Sequence, residues 1–212
     1  MPPDFQALFL LATAQQGYFT ASQAKRLGYT QQNQAHHVQA GNWKRIARGI
    51  FRLENFPPLR NPELVICHLW ALDIHAQPQG VFSYETALQL HELSDWTGYG
   101  LGQGIHMTVP KKFRRHSRPP FRMTLHKEHL KTGDFQRYSC FNVTTPLRTI
   151  LDLLFQDLVE QRFLKQAMQH AWDRGLVAKR HLDREVFSDW QAAKVSWLLD
   201  LAGIKDVSIS KC

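Results

Sequence analysis

The 212-residue chain lacks the patterns that mark membrane-spanning, secreted and disulfide-rich proteins. Its longest apolar run, residues 64–72, is interrupted by His68 and is too short to cross a bilayer. The chain does not open with the basic segment and apolar segment of a signal peptide. Its three cysteines are far apart and show no ligand spacing, which favours neither a disulfide framework nor a zinc site. We therefore expect a cytoplasmic protein that is folded nearly throughout.

The chain also lacks the residue spacings that usually indicate a catalytic site. It has no His-Glu-x-x-His and no Gly-x-Ser-x-Gly, and its eleven histidines show no recognised ligand set. Glycines alternate over residues 98–104 without a following Lys-Ser or Lys-Thr, which predicts a flexible turn. Asp183 and Glu185, the carboxylates considered for a nuclease, fall in a predicted helical stretch. We therefore expect no catalytic residues, no metal and no cofactor, and a protein that is not an enzyme.

Positive charge is in excess, and the excess is concentrated towards the N-terminus. The formal net charge is +8. Residues 1–60 contain seven Lys and Arg against two Asp and Glu, residues 61–150 contain ten against seven, and residues 151–212 contain nine of each. Such a distribution is typical of an N-terminal surface that contacts the phosphate groups of a nucleic acid. The alternative explanation is that the positive charge only keeps the protein in solution.

Residues 1–56 carry the start and stop signals of three short helices. Apolar residues recur at helical spacing over 5–12, which predicts the first helix. A Thr-x-x-Gln capping box at 20–23 opens a second helix, which ends at a glycine. Thr30 can cap a third helix, which ends at about Ala40. Three helices are thus predicted within about forty residues.

Two short strands follow these helices, over residues 43–46 and 50–53, with a turn at 47–49 between them. Three helices followed by a two-stranded wing are typical of a winged helix-turn-helix domain, which inserts its third helix into the DNA major groove. A Pro-Pro pair at 57–58 then indicates a linker. We therefore predict that residues 1–56 form a winged helix-turn-helix DNA-binding domain.

The third predicted helix carries amide and imidazole side chains along most of its length. Gln and Asn can hydrogen-bond adenine at N6 and N7, whereas basic side chains on the wing and the second helix would contact phosphates. Arg48, at the wing tip, could instead enter the minor groove. The predicted DNA-binding residues are Lys25, Arg26, Thr30, Gln31, Gln32, Asn33, His36, Gln39, Lys44, Arg45 and Arg48.

Residues 60–212 predict a second domain of mixed α/β structure with a helical C-terminal part. We expect helices over 62–75, 83–90, 145–154, 158–172 and 182–201, and strands over 105–109, 121–126 and 138–143. Arg148 and Asp152 are four residues apart on one of these helices and are expected to pair. Trp172, Trp190 and Trp197 are expected in the core. The predicted fold class of the whole chain is therefore α+β.

The densest basic cluster lies in this second region, within residues 111–122. It has six basic side chains and no acid: Lys111, Lys112, Arg114, Arg115, Arg118 and Arg122. The cluster fits either a second nucleic-acid contact or a surface that binds an acidic partner protein. A solvated basic loop between two strands is the alternative that requires no partner.

Several stretches of the chain are shared with one known family. They are residues 17–28 (GYFTASQAKRLG), Gly41, 45–53 (RIARGIFRL), 83–94 (SYETALQLHELS), 106–110 (HMTVP) and 144–153 (TTPLRTILDL). In these stretches the chain resembles the AbiEi-type antitoxins of type IV toxin–antitoxin systems. The resemblance implies an N-terminal winged helix that represses the system's own promoter and a following domain that opposes the toxin. Gln34 and His37 depart from the pattern, which usually has apolar residues there, so the face of the third helix that meets DNA stays open.

We therefore predict a DNA-binding transcriptional autoregulator that acts as the antitoxin of a type IV system. Its expected partners are double-stranded DNA of its own promoter, read as inverted repeats, and a nucleotidyltransferase-type toxin. Two alternatives stay open from the sequence. One is a nucleic-acid-processing enzyme that uses a winged helix for targeting, and the other is a stand-alone repressor.

Overall fold

The computed structural model describes residues 2–58, 61–96, 104–205, 207 and 209. Over these residues the chain is a mixed α+β protein with nine helices and two sheets, which confirms the predicted fold class. The helices are α1 (Phe5–Ala14), α2 (Ala21–Arg26), α3 (Gln31–Gln39), α4 (Pro62–Trp70), α5 (Tyr84–Leu90), α6 (Pro146–Phe155), α7 (Gln161–Asp173), α8 (Lys179–Leu182) and α9 (Asp189–Leu201). The strands are β1 (Tyr18–Thr20), β2 (Trp43–Ala47), β3 (Ile50–Leu53), β4 (Val81–Phe82), β5 (Ile105–Val109), β6 (Met123–Lys127), β7 (Phe135–Tyr138) and β8 (Phe141–Thr144).

The N-terminal elements follow the order α1, β1, α2, α3, β2, β3 around a three-stranded antiparallel sheet. The sheet order is β1-β3-β2, with Tyr18 opposite Arg52 and Trp43 opposite Leu53. The Thr20 side chain accepts from Gln23 N, and the Gln23 side chain accepts from Thr20 N, which confirms the predicted capping box. Residues 18–20, between the first two helices, thus add a third strand to the two that were predicted.

The second sheet is five-stranded and mixed, with the order β6-β5-β4-β8-β7. Strand β4 pairs parallel with β8, and β5 pairs parallel with β6, whereas β4 with β5 and β7 with β8 are antiparallel. Helices α5, α6, α7 and α9 share one apolar core that includes Leu88, Ile150, Met168 and Val195. The C-terminal helices thus form a layer of their own next to α5.

The N-terminal region and the second sheet share part of a core. Tyr18 and Ile50, from the first sheet, are buried in the same cluster as Leu69 of α4 and Met107 of β5. A separate small cluster, which includes Leu8, lies among the N-terminal helices. Helix α4 is therefore packed against both sheets and joins the two regions.

Several predicted element bounds were wrong. Helix α4 ends at Trp70, because the Asp73 carboxylate accepts from the backbone N of His75 and of Gln77 and organises a loop where the helix was expected to continue. The expected strand over 138–143 is a hairpin of two strands, since Ser139 takes a left-handed φ of 54° between them.

The expected long C-terminal helix is also interrupted. Residues 183–188 separate α8 from α9, so Asp183 and Glu185 lie outside any helix. Trp190 and Trp197 are 53% and 39% exposed, so the expectation that they are core residues was wrong, whereas Trp172 packs against the core. The glycine-rich turn predicted over 98–104 lies outside the described residues except for Gly104.

Cys67 and Cys140 are buried free thiols, and Cys212 lies outside the described residues. The longest described helices, α7 and α9, have 13 residues each, fewer than the ~20 that a bilayer-crossing helix requires. None of the helices in the described part of the chain can therefore cross a membrane.

Candidate nucleic-acid interface

Helices α2 and α3 are held in a fixed relation by a tight turn. Gly28 adopts a φ of 88°, a left-handed conformation that glycine adopts at little cost, and the N–H groups of Gly28 and Tyr29 donate to the last carbonyls of α2. The Tyr29 side chain is then buried under α3. Thr30 begins α3, with its hydroxyl accepting from Asn33 N at 3.2 Å.

The inner face of α3 contains the two residues that depart from the family pattern. Gln34 is 8% exposed, and its amide Nε2 donates to Ala21 O at 3.1 Å and to Tyr29 O at 3.0 Å. The His37 ring stacks on the ring of Trp43, with centroids 4.7 Å apart and planes 13° apart. A buried amide is tolerated in the core when its donors are satisfied, as they are here. Helix α3 therefore packs through Gln34 and His37, which leaves its opposite side free.

The outer face of α3 is polar and open to solvent. Gln31, Gln32, His36 and Gln39 are all exposed. Among the predicted base-contacting residues, Thr30 and Asn33 are instead engaged with each other at the start of the helix, where the two side chains are hydrogen-bonded. The exposed amides thus form the surface of α3 that is available to a partner.

The cations beside α3 are exposed, and none of them forms a salt bridge with a residue that the structure describes. Lys25 lies in the last turn of α2, Lys44 and Arg45 lie on β2, and Arg48 lies at the turn between β2 and β3. Within residues 2–58 no basic side chain forms a salt bridge. These four side chains are therefore free to neutralise the charge of a bound anion.

The side chains of Arg26 and Arg52 are hydrogen-bonded to backbone carbonyls of the protein. The Arg26 guanidinium donates to His75 O at 2.9 Å and also to Ile74 O. Arg52 donates to Pro57 O at 2.9 Å and to the neighbouring carbonyl of Phe56. Arg26, which was predicted to contact DNA, thus also attaches α2 to the loop that follows α4.

Two grooves border the outer side of α3. One, of about 740 Å³, lies between α2 and the start of α3 and is lined by Lys25, Gln31 and Gln34 among others. The other, of about 410 Å³, lies between α3 and the wing strands and is lined by Gln31, Gln39 and Arg45 among others. The grooves therefore bring Lys25, Gln31, Gln39 and Arg45, all singled out in the sequence, to the surface beside the outer face of α3.

The second basic cluster lies between β5 and β6. Arg115 donates to Leu72 O at 3.0 Å, and the Trp70 indole Nε1 donates to Ser117 Oγ at 3.0 Å, so the segment is held against the end of α4. Lys111, Lys112, Arg114 and Arg118 are exposed and form no salt bridge among the described residues. Arg122 is exposed at the entry to β6, where its carbonyl accepts from Ile105 N at 2.8 Å.

A buried histidine cluster in the second region was not anticipated from the sequence. His106 Nε2 on β5 lies 2.7 Å from Glu85 Oε2 on α5, and His126 Nε2 on β6 lies 3.2 Å from His106 Nδ1. Tyr84, which has a left-handed φ of 52°, stacks on the His126 ring at 3.8 Å. Burial, together with His106, lowers the pKa of His126 to about 4, so this ring is uncharged at neutral pH. No local spacing signals the cluster, because its members come from three elements.

Arg148 on α6 binds three carboxylates next to this cluster. Its Nε lies 2.7 Å from Asp152 Oδ1, its Nη1 lies 3.1 Å from Asp134 Oδ2, and its Nη2 lies 2.9 Å from Glu128 Oε2. The expected Arg148–Asp152 pair is confirmed, and two partners from the segment after β6 join it. Burial raises the pKa of Asp152 to about 7. These three ion pairs hold the segment after β6 against α6, and we call them the clasp.

In the described part of the chain, no group of three or more His, Cys, Asp or Glu is placed to hold a metal ion.

Comparison of the chain with protein-family models and with curated proteins found no match. The AbiEi resemblance therefore stays a prediction that depends on the residues that carry it.

Proposed function

We propose that residues 5–53 form a winged helix and that the protein is a sequence-specific DNA-binding regulator. The observation that carries the proposal is the outer face of α3, where exposed amides stand between unpaired cations on α2 and on the wing strands. The order of three helices followed by the paired strands β2 and β3 supports the proposal.

In the proposed complex α3 enters the major groove with its outer face towards the base edges. Gln31, Gln32 and Gln39 are placed to hydrogen-bond adenine N6 and N7. Lys25 and Arg45, which line the two grooves beside α3, neutralise phosphates on either side of the major groove, which positions the helix without reading sequence. Gln34 takes no part in reading bases because both of its donors are used inside the protein.

The role of antitoxin is the second part of the proposal, and it depends on the resemblance alone. The stretch TTPLRTILDL runs from the last residue of β8 through most of α6 and contains Arg148 and Asp152, which hold the clasp described above. Under this proposal the second region opposes a nucleotidyltransferase toxin, and the N-terminal region represses the shared promoter. A stand-alone repressor is the rival, and a toxic nucleotidyltransferase gene beside this one would decide between them.

The test is a footprint of the purified protein on DNA from its own upstream region, compared with a triple variant Gln31→Ala, Gln32→Ala, Gln39→Ala. We expect the wild type to protect a discrete site, and the variant to bind that site and random DNA about equally. Equal binding of random and upstream DNA by the wild type would contradict sequence-specific regulation. If metal-dependent cleavage of the DNA appeared and were lost in Asp183→Ala, Glu185→Ala, the enzyme alternative would replace the proposal.

A further inference from the structure

Four exposed cations of the second region form a surface that we call the basic arc: Lys111, Lys112, Arg114 and Arg118. No Asp or Glu occurs in the sequence between Asp95 and Glu128, so the arc has no acidic neighbour within its own segment. A run of unpaired positive charge of this kind attracts a polyanion.

The basic arc is held in place by the protein core. The Phe113 ring packs on the Trp70 ring with centroids 5.9 Å apart, and Trp70 Nε1 donates to Ser117. Arg115 is bonded to Leu72 O and so fixes the middle of the segment. Because the backbone is already ordered, little conformational entropy is lost when the arc binds a partner.

The segment that carries the arc reaches the wing tip through Arg115. One groove of about 310 Å³ is lined by Arg48 and Gly49 of the wing turn on one side and by Trp70 and Arg115 on the other. Ala21 and Gly49 also line the groove between α3 and the wing, so the two grooves are contiguous. The surface of α2, α3 and the wing therefore continues across the wing tip to Arg115, in the middle of the segment that carries the basic arc.

One carboxylate, Asp73, is found among the residues that line the groove at the wing tip. Its Oδ1 accepts from the backbone N of His75 and of Gln77, both at 2.8 Å. These bonds, together with the neighbouring Arg26, lower the pKa of this carboxyl. Arg26 and Arg115 bind the carbonyls of the same loop, so the loop carries two cations beside the one anion.

We propose that the basic arc binds the phosphate backbone of DNA that flanks the site read by α3, on the side of the wing tip. This inference rests on the proposed function and extends it from the N-terminal region to a composite interface. DNA is the favoured partner because the segment of the arc adjoins, through Arg115, the surface that holds the proposed reading helix, and phosphates are spaced regularly along a duplex. The contact is independent of base sequence and adds affinity and orientation.

The experiment measures the salt dependence of binding to a random-sequence duplex of about three helical turns by fluorescence anisotropy. Three proteins are compared. They are the wild type, the arc variant with Lys111, Lys112, Arg114 and Arg118 changed to Ala, and a control with the exposed Lys179, Arg180, Arg184 and Lys205 changed to Ala. Both variants lose four positive charges, so a difference between them reports the position of the charges rather than their number.

We expect the slope of log K against log salt to become shallower by about 0.9 for each phosphate contact that the arc variant loses, and to change little in the control. Equal slopes for the wild type and the arc variant, or the same change in arc and control variants, would overturn the proposal. Equal slopes for the wild type and the arc variant are also the result expected if the arc binds an acidic protein instead of DNA. If the wild type binds no DNA at any salt concentration, the proposed function itself fails. Matching thermal unfolding curves show that the variants are folded.

Discussion

The orientation of α3 can be tested at Gln34, because its side chain is expected to stabilise the fold and not to contact DNA. Gln34→Ala removes an amide that donates to Ala21 O at 3.1 Å and to Tyr29 O at 3.0 Å. It also leaves space in a site where only 8% of the residue is exposed. Gln32→Ala, on the outer face of the same helix, is the matched control.

Each hydrogen bond of a neutral amide contributes about 0.5–1.5 kcal/mol net, and truncating a buried side chain adds a cavity term. We therefore expect Gln34→Ala to lower the free energy of unfolding by about 2–3 kcal/mol, or about 1 kcal/mol if water replaces the amide. Gln32→Ala should change it by less than about 0.5 kcal/mol, because the side chain is exposed and alanine favours a helix.

The assay is equilibrium denaturation in urea, with DNA affinity measured for the same proteins under conditions where each is folded. Gln34→Ala should be destabilised and keep its preference for the upstream DNA, whereas Gln32→Ala should be stable and lose preference. The reverse result, a stable Gln34→Ala and an unstable Gln32→Ala, would mean that α3 packs through the other face. The proposed interface would then be wrong.

Three further predictions concern stability, each measured by urea denaturation. Gly17→Ala should lower the free energy of unfolding by about 1–3 kcal/mol, because Gly17 has a φ of 92° and an added Cβ would lie 2.5 Å from the Phe56 ring. Gly133→Ala is the control: its added Cβ would meet no atom within 4 Å, so this change should be neutral. Arg148→Met should cost about 3 kcal/mol at pH 8, where Asp152 is ionised, and less at pH 5, where Asp152 is protonated because its pKa is about 7. A loss independent of pH would contradict the clasp. Burial lowers the pKa of His68 to about 4, so the unfolded chain binds more protons between pH 4 and 6.5, and stability should fall by up to ~3 kcal/mol as the pH is lowered through that window. His68→Leu should remove this part of the pH dependence, whereas Asp152 and His126 contribute equally in both proteins. If the stability difference between pH 7 and pH 4 is the same in His68→Leu as in the wild type, His68 does not cause it.

Local signals predicted the N-terminal elements because each is determined by a few neighbouring residues. The capping box at Thr20 and the turn at Gly28 depend on side chains and backbone angles within one helical turn. The same holds for the hairpin turn at Gly49, which has a φ of 72°. Such features can be predicted from one sequence without knowledge of the packing.

The features that were missed depend on long-range contacts or on turns without a marker residue. Strand β4 has two residues, too few for an alternation pattern, and is formed by pairing with β5 and β8. The β7–β8 turn places Ser139, rather than a glycine, in a left-handed conformation. The inward position of Gln34 follows from two carbonyls that only the folded chain brings near it.

The central claim is that amides on the outer face of α3 read adenines in the major groove. Replacing single adenines of the footprinted site by 7-deazaadenine removes the N7 acceptor and leaves base pairing and the minor groove unchanged. At the adenines read by these glutamines, we expect the wild type to lose about 1 kcal/mol of binding free energy per substitution, about fivefold in affinity. The triple variant Gln31→Ala, Gln32→Ala, Gln39→Ala should be insensitive at the same positions. Equal sensitivity of both proteins, or no sensitive adenine in the site, would contradict the claim.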